Sequence, residues 1–316
     1  SGDDAADDAA IWVDRLRPGA SLVIGTDKQD GLMVYDLHGR VLQRLSLGRL
    51  NNVDLRQGVT LGPWRGDLVV ASDRTHRRVV FLAVDPRLRR LRVLGFAPPG
   101  VERPYGICMH RGRLGVQVFV TSKSGHLHQL QVTGVAPRGG VTTRPLATAQ
   151  LPSQLEGCVA NDATGALYVG EEAGGVWRMP VWDLEARELA APVGDATGLR
   201  PDVEGLAIYR RGPGRAWLLA SSQGDDSFVV FRMGAELEPL GKFRIAAAPG
   251  RGIDGVTETD GLEATPVPLG PAFPRGLLVV QDDRNDPGPA NQNFKLVDWR
   301  RLAPLLAPAG RPAGAR

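Results

Sequence analysis

Three cationic side chains, Lys28, Arg74 and Lys123, stand at matching places in a repeated pattern, each at the polar exit of an apolar strand. At the next three exits stand Glu172, Gln223 and Asp282. The segments that open each repeat divide the same way. Asn52 and Tyr105 lie on the cationic side, and Asp7, Glu156, Asp202, Glu204, Asp254 and Asp260 on the acidic side. Carboxylates gathered with a Gln and without Cys or His form a site for hard cations, and many oxygens suit Ca2+ better than Mg2+. Alone they repel one another and any anion: two unit charges about 4 Å apart cost roughly 1 kcal/mol in water and about 4 at a protein surface. The basic half supplies a guanidinium that can bond phosphate bidentately at Arg74, and point charges at Lys28 and Lys123. Phosphate held between basic side chains and bridging cations is placed for attack by metal-activated water. The chemistry implied is phosphomonoester hydrolysis on a multiply phosphorylated substrate.

The elements that must position these residues are short strands. DDAAIWV, NNVDLR, YGICMH, EGCVAN, EGLAIY and DGLEAT open six units at intervals of 44 to 56 residues. Each is answered by an apolar strand with a polar exit (LVIGTDK, LVVASDR, VFVTSK, LYVGEE, LLASSQ, LLVVQD), and a third apolar run usually follows. One such unit cannot bury its own apolar faces, so repetition at this period builds a closed array. Three or four strands per unit, six times over, predict an all-β, six-bladed β-propeller. Equivalent positions then fall on a ring about the axis, with a basic half and an acidic half. Taken singly the members are less telling: Tyr105 would serve as a core aromatic, and Glu156, Glu204 and Asp260 as solvated strand starts.

The 316 residues, 42% apolar and 23% charged, form one domain over 1–303, with an Ala/Pro/Gly-rich tail at 304–316 expected to be poorly ordered. A net charge of +3 demands no nucleic-acid surface. No apolar run is long enough to cross a bilayer, and SGDDAADDAA lacks the basic and apolar parts of an export signal, so the chain is either cytoplasmic or stripped of one. Cys108 and Cys158 sit one position out of step in neighbouring repeats, which alternation turns to opposite faces; core thiols are expected, not a disulfide. His126 and His128 share a strand face with no third ligand nearby in sequence, the pattern of solvated polar residues. Phosphate-loop, zinc-protease and serine-hydrolase signatures are missing, and neither Cys opens a C-x5-R loop, so covalent nucleophilic catalysis has no support.

Several long blocks, in order along essentially the whole chain, resemble the β-propeller phytases, the calcium-dependent alkaline phytases that hydrolyse myo-inositol hexakisphosphate. They include DDAAIWVD from Asp7, GTDKQDGLMVYDL from Gly25, GRLNNVDLR from Gly48, EGCVANDATGALYVGEE from Glu156, DVEGLAIY from Asp202, ASSQG from Ala220, DGVTETDG from Asp254 and ANQNFKLVDW from Ala290. The resemblance implies several Ca2+ ions at one end of the channel. It further implies a phosphate-binding set of Lys28, Arg74, Tyr105 and Lys123, with Glu156 counted beside them in catalysis. Asp7, Glu156, Glu172, Asp202, Glu204, Gln223, Asp254 and Asp260 would be calcium ligands or their supports.

The chain departs from the family pattern in places. Ser124 follows Lys123 where an acid is usual, and Asn161 and Glu258 stand for Asp. Arg284 reverses an often acidic position, which weakens the case for a peripheral structural calcium there. The family's closing segment before the first DD motif is short here, so the ring closes with another strand or the last blade is incomplete. The resemblance implies a secreted or periplasmic monomer acting on phytate and other inositol polyphosphates, without nucleic acid or membrane. A calcium-dependent propeller lactonase or organophosphate hydrolase would share the metal but not need the basic half-ring. A non-enzymatic anion-binding propeller would bind inositol phosphates without releasing phosphate.

Overall fold

The fold is that of a computed structural model, which describes residues 5–136, 140–286, 288 and 291–306. Six antiparallel sheets follow one another along the chain. Blade one is β1 (Ala6–Trp12), β2 (Leu22–Asp27), β3 (Gly31–Asp36) and β4 (Val41–Ser46), and blade two is β5 (Leu50–Leu61), β6 (Trp64–Asp73), β7 (Arg78–Asp85) and β8 (Arg90–Ala97). Blade three comprises β9 (Pro104–Gly112), β10 (Gly115–Ser122), β11 (His126–Val135) and β12 (Val141–Gln150), and blade four β13 (Leu155–Asn161), β14 (Ala166–Glu171), β15 (Gly175–Pro180) and β16 (Glu188–Pro192). Blade five holds β17 (Val203–Gly212), β18 (Arg215–Ser222), β19 (Ser227–Met233) and β20 (Leu237–Phe243); blade six holds β21 (Leu262–Thr265), β22 (Leu277–Asp282) and β23 (Asn293–Asp298).

The blades close into a six-bladed β-propeller because their first strands touch in turn: β1 meets β5, β5 meets β9, and so on until β21 meets β1. Middle strands are buried on both faces, so they read as unbroken apolar runs. In β6, Leu68 and Val70 enter the cluster shared with blade three, while Val69 and Ala71 enter the one shared with blade one. Six apolar clusters result, one at each interface between neighbouring blades. The last blade has three strands among the described residues, the incomplete blade that the sequence left open. It joins blade one through a face-to-face cluster of Ala9, Ile11 and Val23 with Leu277 and Val279.

One expectation is corrected. Cys108 and Cys158 form a disulfide, with Cα atoms 5.6 Å apart. Alternation does turn them to opposite faces of their blades, but consecutive blades stack face to face, so those opposite faces look at each other. Both cysteines lie in the cluster between blades three and four. At the C-terminal end of the described residues, Trp299 stacks on Tyr209 with ring centroids 3.4 Å apart, and Ala303–Leu306 is a 3-10 turn whose Leu305 and Leu306 pack on the core of blades five and six. Residues 307–316 lie outside the described residues.

Because the bridge spans 50 residues and staples adjacent blades, a Cys108→Ala/Cys158→Ala variant is expected to keep the fold. It should lose about 2–4 kcal/mol of unfolding free energy in urea titration. A variant as stable as the parent would show that the bridge adds nothing.

Candidate active site

Each of the first five blades begins with a two-residue bulge at the same end of the channel. The pairing of first and second strands skips from Ala6 to Ala9, from Leu50 to Val53, from Leu155 to Cys158 and from Val203 to Leu206. Blade three skips between Pro104 and Ile107. A bulge puts two residues opposite one and re-aims a side chain that regular pleating would send into the core. The first bulge residue is Asp7, Asn51, Tyr105, Glu156 or Glu204, with Asp260 corresponding in blade six; the second is Asp8, Asn52, Gly106, Gly157 or Gly205, with Gly261 corresponding. Asn51, not Asn52, is therefore the partner of Tyr105 and Glu156 in the mouth. The glycines are needed for close approach. A Cβ on Gly106 would lie 2.0 Å from the Glu156 carbonyl oxygen, and one on Gly261 would lie 2.5 Å from Asp8 Cα.

The two halves of the charge pattern meet at this mouth. Lys28 Nζ lies 2.8 Å from Asp260 and 3.5 Å from Asp7. Arg74 donates to Asn51 Oδ1 at 3.0 Å, and Asn51 Nδ2 reaches Asp7 at 3.4 Å, so one amide joins the guanidinium to the acidic side. The Tyr105 ring lies between two cations, with Lys123 Nζ 4.0 Å and Arg74 Cζ 5.3 Å from its centroid, the geometry of cation–π attraction. Its hydroxyl neighbours the Glu156 carboxylate closely enough that each shifts the other's titration.

The acids are crowded and buried. Oxygens of Glu156, Glu172 and Glu204 lie within 4.8 Å of one another. Burial, opposed by the Tyr105 hydrogen bond and aggravated by Asp260 and Glu172, pushes Glu156 up to about 8. Burial and then Glu156 hold the Glu204 proton far above the carboxylate range, while burial and then Asp260 do the same for Asp7. Glu172 is raised by burial, with Lys123 opposing. The Tyr105 phenol is raised by burial and by Glu156. Acids that resist ionising together need a cation from outside, and this all-oxygen donor set fits a hard divalent ion such as Ca2+.

Other expected residues support the mouth or lie apart from it. Gln223 Nε2 donates to Asp260 at 2.7 Å, and Gln154 bonds Glu172. Asp202 is exposed and left-handed (φ 62°); its N–H donates to the Glu172 carbonyl at 3.0 Å and its carbonyl accepts from Gln223 N–H at 2.9 Å, tying two site loops together. Asp254 is held by Lys295, which also lies 2.8 Å from Asp282, so neither acid joins the axial cluster. Arg284 pairs with Glu258 and with Asp283 at 3.3 Å. Lys295 and Arg284 thus pair with these acids away from the axial cluster. Ser124 bonds the ring of His126.

Sequence reasoning missed Asn51, and it missed Asp8, which accepts from Asn52 Nδ2 and Val53 N–H at 3.1 Å each and from Ala9 N–H at 2.8 Å. Burial, opposed by those bonds, pushes Asp8 up to about 7. The DD and NN doublets carried the signal: each is a whole bulge, one member facing the mouth and one bracing it. Deeper along the chain Arg56 ties three blades together, bonding Asp54 at 2.7 Å, Asp162 at 3.0 Å and the carbonyls of Met109 and Ala160.

The model of the family described as Phytase matches residues 1–309. The 3-phytase of Bacillus subtilis is 36% identical over 97% of this chain and 82% of its own length. Among solved structures, an auxiliary nutrient binding protein from Bacteroides thetaiotaomicron aligns over 93% of this chain and 69% of its own with a TM-score of 0.57 at 10% identity. Sqt1 from Chaetomium thermophilum, bound to the N-terminus of a ribosomal protein, aligns over 90% and 86% with a TM-score of 0.52 at 15% identity. These two likenesses speak to the fold alone. The match along nearly the whole sequence, on a ring of six blades with acids and cations facing one mouth, places this chain in the phytase family.

Proposed function

We propose that this protein is a phytase that hydrolyses phosphomonoesters of myo-inositol hexakisphosphate at the axial mouth, releasing inorganic phosphate and lower inositol phosphates. The observation that carries the reading is the meeting of Lys28, Arg74, Lys123 and Tyr105 with Asp7, Glu156, Glu172, Glu204 and Asp260 in one ring. Several calcium ions held by those carboxylates would supply the charge that neutralises them, draws phosphate oxygens in and acidifies water. Arg74 presents two N–H groups to one phosphate, and Lys28 and Lys123 supply point charges. These donors stabilise the charge that grows on the phosphoryl oxygens as the bond from phosphorus to the inositol oxygen breaks and one to water oxygen forms. The proton lost by water ends on the inositol hydroxyl, and no covalent phosphoenzyme is needed. Both cysteines are tied in the disulfide, and His110 and His128 bond Gln117 and the Pro99 carbonyl. Action outside the cytoplasm, as a monomer, belongs to the same proposal; a disulfide is at home in an oxidising compartment.

Arg74→Ala should lower kcat/KM for phytate about 10²-fold, and Arg74→Lys by less, with melting temperature nearly unchanged. Phosphate release and circular dichroism on the same samples would check it; a drop that merely follows unfolding would contradict the assignment.

In chelator, the folded chain binds protons more tightly than the unfolded one at Asp8 (about 7), Glu156 (about 8) and Glu263 (about 8). Their contribution to stability is full near pH 4 and is lost as pH rises through 7 to 8. Melting temperature in chelator should therefore fall across that range, and millimolar calcium should remove most of the fall. A melting temperature that rises with pH in chelator would contradict the account of the acids.

A further inference from the structure

In four of the five bulged blades the residue opposite the bulge is a small hydroxyl two positions before the mouth residue of the same strand: Thr26 before Lys28, Ser72 before Arg74, Thr121 before Lys123 and Ser221 before Gln223. Thr121 Oγ1 accepts from Gly106 N–H at 2.8 Å and donates to the Glu156 carbonyl of the next blade at 3.0 Å. Ser72 Oγ accepts from Asn52 N–H at 3.1 Å and donates to the Tyr105 carbonyl of the next blade. Both hydroxyls are fully buried, and neither touches the cations or carboxylates of the mouth through its own side chain.

The one peptide unit that joins Tyr105 to Gly106 is thus held at both its oxygen and its nitrogen. Ser72 holds the Tyr105 carbonyl, Thr121 holds the Gly106 N–H, and the same Thr121 holds the carbonyl of Glu156, whose side chain neighbours the phenol. Blade four has no such hydroxyl. Gly170 stands there instead, and a Cβ on it would lie 2.9 Å from the Glu204 carbonyl oxygen, so the blades meet by direct contact. Thr121 makes its cross-blade bond where the basic half passes into the acidic half.

We propose that Thr121 and Ser72 are positioning residues for phytate hydrolysis: they fix the Tyr105–Glu156 pair that joins the two halves of the mouth. The proposal rests on the functional reading above. Valine has the shape of threonine without its hydrogen bonds, so Thr121→Val leaves the Gly106 N–H and Glu156 carbonyl without this partner while keeping the packing.

Per folded molecule, Thr121→Val should lose about tenfold or more in kcat with a smaller change in KM. Thr121→Ser should stay within about threefold of the parent, because it restores both bonds. Ser72→Ala, which removes the other grip, should lower kcat in the same direction, and it decides the matter if Thr121→Val does not fold. Parental kcat and KM in the folded variants would overturn the proposal, as would a Thr121→Ser loss equal to that of Thr121→Val. A parent chain inactive on phytate would overturn the functional reading and this proposal with it; an active parent with unaffected variants would overturn this proposal alone.

Discussion

Like charges brought together away from water are the constraint around which this molecule is arranged. Glu156, Glu172 and Glu204 crowd one side of the mouth, and Asp7 and Asp260 share the ammonium of Lys28 on the other. Burial raises the cost of ionising each acid, and each ionised neighbour raises it again. Lys28 compensates one pair, while the glutamates are offset by Lys123, by the neighbouring Tyr105 phenol at Glu156 and by the Gln154 amide at Glu172. A ring left short of positive charge in this way is matched to divalent cations, and cations so placed convert a surface that repels a polyphosphate into one that holds it. Blade six shows another way to offset crowded acids: Lys295 bridges Asp254 and Asp282, and Arg284 pairs with Glu258, from within the chain.

Backbone geometry makes the crowding achievable. Regular pleating would alternate the first-strand residues between the two blade interfaces, leaving none to face the axis. In five blades the bulge diverts one residue into the mouth, and glycine at Gly106, Gly157, Gly205 and Gly261 lets the backbone of blades three to six approach the next blade. The hydrogen bond from Gly205 N–H to the Asp260 carbonyl, 2.7 Å long, shows how near these strands come. Far below, the Arg56 guanidinium bridges carbonyls and carboxylates of three blades, adding polar cross-links to a ring otherwise held by apolar clusters.

The repeat was legible because middle strands buried on both faces leave apolar runs that nothing else in the chain imitates. The division of Lys28, Arg74 and Lys123 from Glu172 and Gln223 was legible because strand exits keep a fixed distance from those runs. Legibility ended where pairing departs from simple alternation. Asn52 stood in for Asn51 because an unseen bulge shifts the count by one. Cys108 and Cys158 were separated on paper by the face rule that in a stacked ring brings them together. Asp254 and Asp282 were assigned to the axis by their place in the repeat, yet their loops deliver them to Lys295, a contact fixed by loop paths that no periodicity records. Thr121 and Ser72 looked like ordinary small strand residues, since their bonds run to backbone atoms of another blade.

The central claim, that the carboxylates of the mouth must be neutralised by divalent cations before a polyanion can seat against Lys28, Arg74 and Lys123, is tested most directly by calorimetric titration with inositol hexakissulfate, which keeps the charge but offers no phosphate to cleave. The account predicts saturable binding in calcium and at least a hundredfold weaker binding in chelator, on the order of 3 kcal/mol. Equal affinity in the two buffers would contradict it.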